Sequence, residues 1–394
     1  DFALAMDLRD VFQFFFHKMF YPFALSLASS SGDDLYELDA TWKPQFPVGS
    51  HTFSAVGIHD DTVYVTQRGN ASIPPVLVLS TKDGALIDMW GAKDVALAHG
   101  KTSSTWGAHG LSIESCGYPC VVAEDPKATP RLRVWIEDFT NHTVTAFSSR
   151  GQKLLLVGTP GIAGNGTKPC QFDHVADAFV SPGAPVHRPS LAPHKIGDNS
   201  PSFSPAYVYA SDGDGGSANR VVKIAIPPTY DGSPVEAVWA TGHVFDDPHS
   251  ITLHQASGLL VVADREQQAL KLITSTDGTV LGTFDCGLVF GNGAAGGVPF
   301  GVRTMTYGGK DLLFVASMDN PQDHMHQQIS VLDVSQLTAK DGVKSKCSLV
   351  QSIVIDPGQY SGPHLLGVDA LTGDVYAALV ADQPHGTVLR YRLK

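Results

Sequence analysis

The 394-residue chain carries 39 acidic against 27 basic side chains, a net charge of −12. It has no Lys/Arg cluster, so the basic footprint that phosphate contacts require is missing and no nucleic acid partner is expected. Hydrophobic residues make up 43%, enough for a sizeable core, while 39 glycines and a charged content of 17% suit short strands joined by tight turns.

Residues 1–31 differ from the rest and hold seven of the 19 phenylalanines (Phe2, Phe12, Phe14, Phe15, Phe16, Phe20 and Phe23). On a helical wheel Leu4, Leu8, Val11, Phe12, Phe15, Phe16 and Met19 share one face, and Asp7, Asp10, Gln13, His17 and Lys18 share the other. This pattern predicts an amphipathic α-helical arm that Pro22 ends near Tyr21. Asp7, Arg9, Asp10 and Lys18 interrupt any uncharged run of about 18 residues, so no transmembrane span is expected. The balanced charge of the polar face argues against an interfacial membrane helix. Two main docking places remain for the apolar face: the arm's own domain, or a second copy reached across the joint Ser29–Asp34. A membrane surface or a residual targeting segment are the lesser readings. Docking on a copy through Phe12, Phe15, Phe16 and Met19 would build a homo-oligomer or filament.

From about residue 35 the pattern changes to short strands. Five of them end in an acidic residue or Arg: TVYVTQR at Arg68, LRVWIED at Asp138, YVYASD at Asp212, LLVVADRE through Asp264 and Arg265, and LLFVASMD at Asp319. Neighbours lie roughly 50 to 75 residues apart, a period that marks a β-propeller. We predict an all-β, six-bladed propeller over residues 32–394. The blades run from His51 to Met89, His109 to Val157, Asp177 to Trp239, His249 to Phe284, Phe300 to Ile355, and His364 to the end. The last has three clear strands, so its fourth is expected from Asp34–Thr41, which would close the ring between the chain ends. Ser181–Pro205, rich in Pro, Ser and His, reads as a long surface loop.

Cys116 and Cys120 bracket Gly117-Tyr118-Pro119, a turn that would close a small disulfide loop. Cys286 and Cys347 form a second candidate pair and Cys170 is left over. Sequons stand at Asn70, Asn141 and Asn165, where one or two would arise by chance. Sequons and paired cysteines together place the chain outside the cell or in the secretory pathway. Because the chain opens on Asp1, we expect any targeting signal to have been removed already.

Three blade starts share one context: Ala108-His109-Gly110-Leu111, Pro248-His249-Ser250-Ile251 and Pro363-His364-Leu365-Leu366. Such positions approach the axis of a propeller. One histidine there would merely cap a strand, but three neutral imidazoles meeting at a point offer a zinc site with an open fourth position. The runs VYVTQRGN, HGLSIE, VWIEDFTNHTV, VGTPGIAGNG followed by CQ, VYASDG with NRVVK, DDPHSITL and VVADRE, with PH near the end, cover about residues 50–385. On these runs the chain resembles the NHL-repeat propellers, and among them the peptidyl-α-hydroxyglycine α-amidating lyases. The resemblance implies zinc on His109, His249 and His364, with Arg68 and Arg265 beside the carboxylate of a peptide substrate. Zinc would polarise the substrate oxygen while the guanidinium forks hold the carboxylate.

The chain departs from that family at three positions. The catalytic tyrosine that follows the Asp-Gly pair is replaced by Asp214, a carboxylate of different reach and much lower intrinsic pKa. The calcium-binding aspartate after the third zinc histidine is replaced by Leu365, which removes the side-chain oxygen a calcium site needs. The cysteine after the tyrosine is also missing, leaving Cys170 without its usual partner. Three functions therefore compete. The first is an assembly subunit that self-associates through its arm. The second is a zinc-dependent lyase with Asp214 as an altered base. The third is a glycan- or peptide-binding propeller, which the five tryptophans permit without marking a pocket.

Overall fold

The computed structural model describes residues 34–98, 105–115, 132–181, 206–226, 232–291, 294, 296–318, 327–356, 362–380 and 386–394. The expected helical arm, the Cys116–Cys120 loop and almost all of Ser181–Pro205 lie outside these residues. Among the described residues, 24 strands form six four-stranded antiparallel sheets. The innermost strands are Phe53–His59, Ala108–Ser115, Val175–Ser181, Pro248–His254, Val298–Tyr307 and Pro363–Val368, in blades I to VI. Each touches the next, and blade VI touches blade I, so the sheets stand radially around one axis. This is a six-bladed β-propeller. Among the described residues no helix is long and apolar enough to cross a membrane.

Closure comes from the expected place. Tyr36–Leu38 pairs with Val388–Leu393 (Tyr36 opposite Leu393, Leu38 opposite Tyr391) and supplies the fourth strand of blade VI. The strands are apolar on both faces because each sheet is sandwiched between two others. Tyr64, Val78 and Trp90 of blade I share one apolar cluster with Leu111, Ile136 and Phe147 of blade II. Trp135 and Phe172 belong to the next cluster, between blades II and III. Cys286 and Cys347 form a disulfide within the outer part of the fold, with Cα atoms 5.4 Å apart. Cys170 is fully buried, and burial pushes its thiol up to about 12.

The acidic residues that end the second strands hold the loops leading into their own blades. Asp138 accepts from the Ala96 and Asn141 amides (2.7 and 2.9 Å). Asp212 accepts from the Asp173 amide (2.9 Å), and Asp264 accepts from Asp246 and Asp247 (3.1 and 2.9 Å). In blade I the equivalent position is Gln67, whose amide instead holds the loop that follows it, donating to the Ile73 and Asn70 carbonyls (2.8 and 2.9 Å). The repeated acidic ending is thus a scaffold feature of the blades.

Such burial has a pH consequence. Asp138 is buried, and desolvation lifts its carboxyl to about 6 although amide hydrogen bonds pull the other way. Between the unfolded value near 4 and about 6, the folded protein holds a proton that the unfolded chain has released. Stability from this group is therefore present below about pH 4 and is lost as pH rises through 6. Asp138→Asn keeps an acceptor oxygen and removes the titration. In urea unfolding between pH 4 and 7, the wild type is expected to lose about 2 kcal/mol more than the variant. Parallel pH profiles would contradict this.

Candidate functional site

Every innermost strand breaks register with its neighbour near its start. The breaks fall between Phe53 and Ala55, Ala108 and Gly110, Val175 and Asp177, Pro248 and Ser250, Pro299 and Gly301, and Pro363 and Leu366. A bulge adds one residue to one strand and re-aims its side chain. The residues in the breaks are Ser54, His109, Ala176, His249, Phe300 and, in blade VI, His364 with Leu365. Histidine therefore occupies this position in blades II, IV and VI, and Ser54, Ala176 and Phe300 occupy it in the blades between. Gly110 permits the close fit beside His109: a Cβ there would stand 2.5 Å from Glu137 Oε2 and 2.7 Å from the Ala176 carbonyl.

The three imidazoles meet. Ring centroids are 4.9 Å apart for His109 and His249, 4.6 Å for His109 and His364, and 4.8 Å for His249 and His364. One donor nitrogen from each lies within 4.8 Å of the others. Each ring is oriented by the bulge carbonyl of the following blade. His109 Nδ1 bonds the Ala176 oxygen (2.6 Å), His249 Nδ1 the Phe300 oxygen (2.9 Å) and His364 Nδ1 the Ser54 oxygen (2.6 Å). A carbonyl only accepts, so each Nδ1 carries the hydrogen. For the neutral rings this places the Nε2 lone pair toward the axis, the tautomer that a metal requires. Burial holds His249 and His364 well below the ordinary imidazole value, and the nearby guanidinium of Arg265 at His249 and of Arg68 at His364 adds to this. His249 Nε2 is buried with no hydrogen-bond partner among the described residues. An orphaned buried nitrogen in a ring of neutral imidazoles fits a divalent transition metal.

The arginines differ from each other. Arg265 donates to Asp214 Oδ1 (2.9 Å), to Asp247 Oδ2 and to Glu266 Oε1 (3.2 Å), so carboxylates of the chain itself surround its guanidinium. Arg68 lies with its guanidinium carbon 4.7 Å from the Phe139 ring centre, and burial pulls its pKa down while Asp214 and Asp138 oppose that. Asp214 joins the two halves of the site: Oδ2 is 3.0 Å from His109 Nε2 while Oδ1 takes the Arg265 bond. Burial pushes this carboxyl up, but His109, His249 and Arg265 outweigh it and hold it well below the usual carboxylate range. Leu365 is fully buried within the cluster that joins blades I and II, so apolar packing occupies the position where the lyase resemblance implies a calcium aspartate.

Other expected residues fall elsewhere. Asn165 is exposed; Asn70 and Asn141 are half-buried in loops, with the Asn70 side-chain oxygen accepting from the Ser72 amide (2.9 Å). Phe12, Phe15, Phe16, Met19, Cys116 and Cys120 lie outside the described residues. Sequence reasoning missed Asp247, which arrives beside Arg265 from the loop before blade IV. It also missed the aromatic walls Phe139 and Phe300, which lie edge-on to His109 and His249 at 6.0 and 5.1 Å. The run Asp246-Asp247-Pro248-His249 was the available signal for Asp247.

A radial disc of six sheets with three histidines, two arginines and an acid at one axial point defines an NHL-type propeller with a polar axial site. The chain is 30% identical over 359 residues to the mouse NHL repeat-containing protein 3, covering 88% of this chain and 82% of that protein. It is 29% identical over 358 residues to the human protein of the same name, covering 87% and 81%. The chain belongs to the NHL repeat-containing proteins. No protein-family profile matches it. Among solved structures, the gluconolactonase XC5397 of Xanthomonas campestris superposes with a TM-score of 0.51 at 13% identity, over 88% of this chain and 87% of that one, a likeness of fold.

Proposed function

We propose that this chain is a secreted, N-glycosylated propeller that serves as an assembly subunit, with a metal-binding axial site that Asp214 closes. The observation that carries the non-catalytic part is the Asp214 carboxylate, which spans from His109 Nε2 to Arg265. A catalytic zinc site keeps one position open for water or substrate, whereas a structural site fills all four with protein donors. His109, His249 and His364 would hold the ion, and Asp214, 3.0 Å from His109 Nε2, would take up room beside it that a substrate would need. A zinc ion there supplies Lewis acidity in an open site and cross-links blades in a closed one. Asp214 and Asp247 also occupy the fork that a substrate carboxylate would need on Arg265. The assembly part rests on the Phe-rich face of residues 1–31, through Phe12, Phe15, Phe16 and Met19. The sequons, Asn165 above all because it is exposed, support the secretory location.

One specific observation favours the alternative, a zinc-dependent lyase on a hydroxyglycine-extended peptide: the three imidazoles share the tautomer and convergence that such an enzyme uses. Two measurements decide. The purified full chain, reconstituted with zinc, is expected to release no glyoxylate from a peptidyl-α-hydroxyglycine, and deletion of residues 1–31 is expected to lower its mass in light scattering. Glyoxylate release at enzymatic rates would establish the lyase; an unchanged mass would remove the assembly role of the arm.

A further inference from the structure

A second cluster of metal-binding side chains lies beside the axial one. His142, Asp173 and His174 each offer a donor atom within 4.8 Å of the other two. They come from the turn between the second and third strands of blade II and from the loop leading into blade III. The Phe139 ring stands between the clusters, its centre 6.0 Å from that of His109 and 5.9 Å from that of His174.

The local bonding leaves one donor on each residue for a ligand. His142 Nδ1 bonds the Asp173 backbone carbonyl, so it carries the hydrogen and Nε2 is left to ligate. Asp173 Oδ2 is used by the Ser217 and Ala218 amides and the Ser217 hydroxyl, which leaves Oδ1. Burial raises this carboxyl, but the Ser217 bonds outweigh it and keep the group ionised. His174 Nδ1 is buried without a hydrogen-bond partner among the described residues although its ring is about one-third exposed. Gly216 covers that nitrogen closely: a Cβ there would stand 2.8 Å from it. Asp173 Oδ1 is 3.8 Å from His174 Nδ1, too far for a hydrogen bond. Two donors about 2.1 Å from a shared ion stand roughly 3.4 Å apart in tetrahedral geometry, so a small rotation of either side chain makes room for an ion between them. His142 holds φ at +58°, as Asn219 (+45°) and Gln268 (+52°) do at the same turn position of the next two blades, so the blade turn itself fixes where this side chain starts.

We propose that His142, Asp173 and His174 form a second transition-metal site, separate from the axial histidines. Two imidazoles and one carboxylate suit zinc, copper or nickel and disfavour calcium and magnesium, which select all-oxygen shells. With three protein donors and one side toward solvent, the site leaves a coordination position for water or an external ligand.

The test uses the full chain stripped of metal, equilibrated with zinc chloride, dialysed and analysed for zinc per chain. Wild type is expected to retain two equivalents, His142→Ala one, His249→Ala one and the double variant none. Asp173→Asn, which keeps the size of the side chain, should match His142→Ala. Thermal unfolding of each variant checks that it is folded. If His142→Ala and Asp173→Asn retain the wild-type stoichiometry, the second site is disproved, whatever happens at His249. If His249→Ala leaves the stoichiometry unchanged while His142→Ala lowers it, the second site stands and the axial metal reading falls.

Discussion

Arg303→Met is expected to destabilise the propeller by about 3–5 kcal/mol. Arg303 reaches from the inner strand of blade V to Asp177 in blade III, with two parallel bonds of 2.7 and 2.9 Å. The Ser250 hydroxyl of blade IV donates to the same carboxylate (2.6 Å), so one buried network ties three successive blades. Asp177 is fully buried and Arg303 nearly so. Beside them lies Glu137, buried and without a hydrogen-bond partner for either oxygen among the described residues. Burial, and then the Asp177 charge, raise the Glu137 carboxyl well above its ordinary range, and Arg303 opposes this. Removing the guanidinium leaves Asp177 as an uncompensated buried charge next to a second acid. Replacing both partners by apolar residues avoids that, so Arg303→Met with Asp177→Leu should recover at least half of the loss. Urea unfolding of the two variants measures both effects. A single-variant loss below about 1 kcal/mol would show that the pair carries little weight.

The second large effect is expected at the ring closure. Trp42→Ala should cost about 3–5 kcal/mol and should also promote association of chains. Trp42 follows the closing strand, is buried, donates from Nε1 to the Ser80 carbonyl of blade I (3.0 Å) and packs edge-on to Tyr376 of blade VI at 5.3 Å. Asp39 fixes the turn before it by accepting from the Thr41 amide (2.9 Å). Tyr36 anchors the same strand through reciprocal bonds with the Gln351 side chain of blade V (2.8 and 3.0 Å). With three residues, Tyr36–Leu38 has too few ladder bonds to stay docked on its own. Loss of Trp42 therefore releases the strand and bares the edge of Val388–Leu393. Thermal unfolding reads the first effect, and light scattering at rising concentration reads the second. A variant that melts like the wild type and stays the same size would show that backbone pairing alone closes the ring.

The motif that ends in Asp138 and Asp212 was readable in sequence because it recurs at the ends of successive second strands, although the entry-loop amides those carboxylates hold lie 42 and 39 residues back. The blade starts were readable for the same reason, since the innermost strands begin within two residues of His51, His109, Asp177, His249, Phe300 and His364. The convergence of His109, His249 and His364 needed one assumption more, that the ring closes, and the pairing of Tyr36–Leu38 with Val388–Leu393 supplies that closure.

What the linear chain determined was thus the repeat and the residue types that recur at one register of it, because strand alternation and turn chemistry act over a few neighbours. The tertiary structure alone decided what those residues meet. Asp214 could be read as a lost tyrosine, but only the folded disc places it on both His109 and Arg265. Arg303 and Asp177 are 126 residues apart with no local signal linking them, and His142 meets His174 only where blades II and III press together. Those contacts depend on the angle and bulge of each sheet around the axis. Packing of every blade against its neighbours sets that geometry, and no short stretch of sequence encodes it.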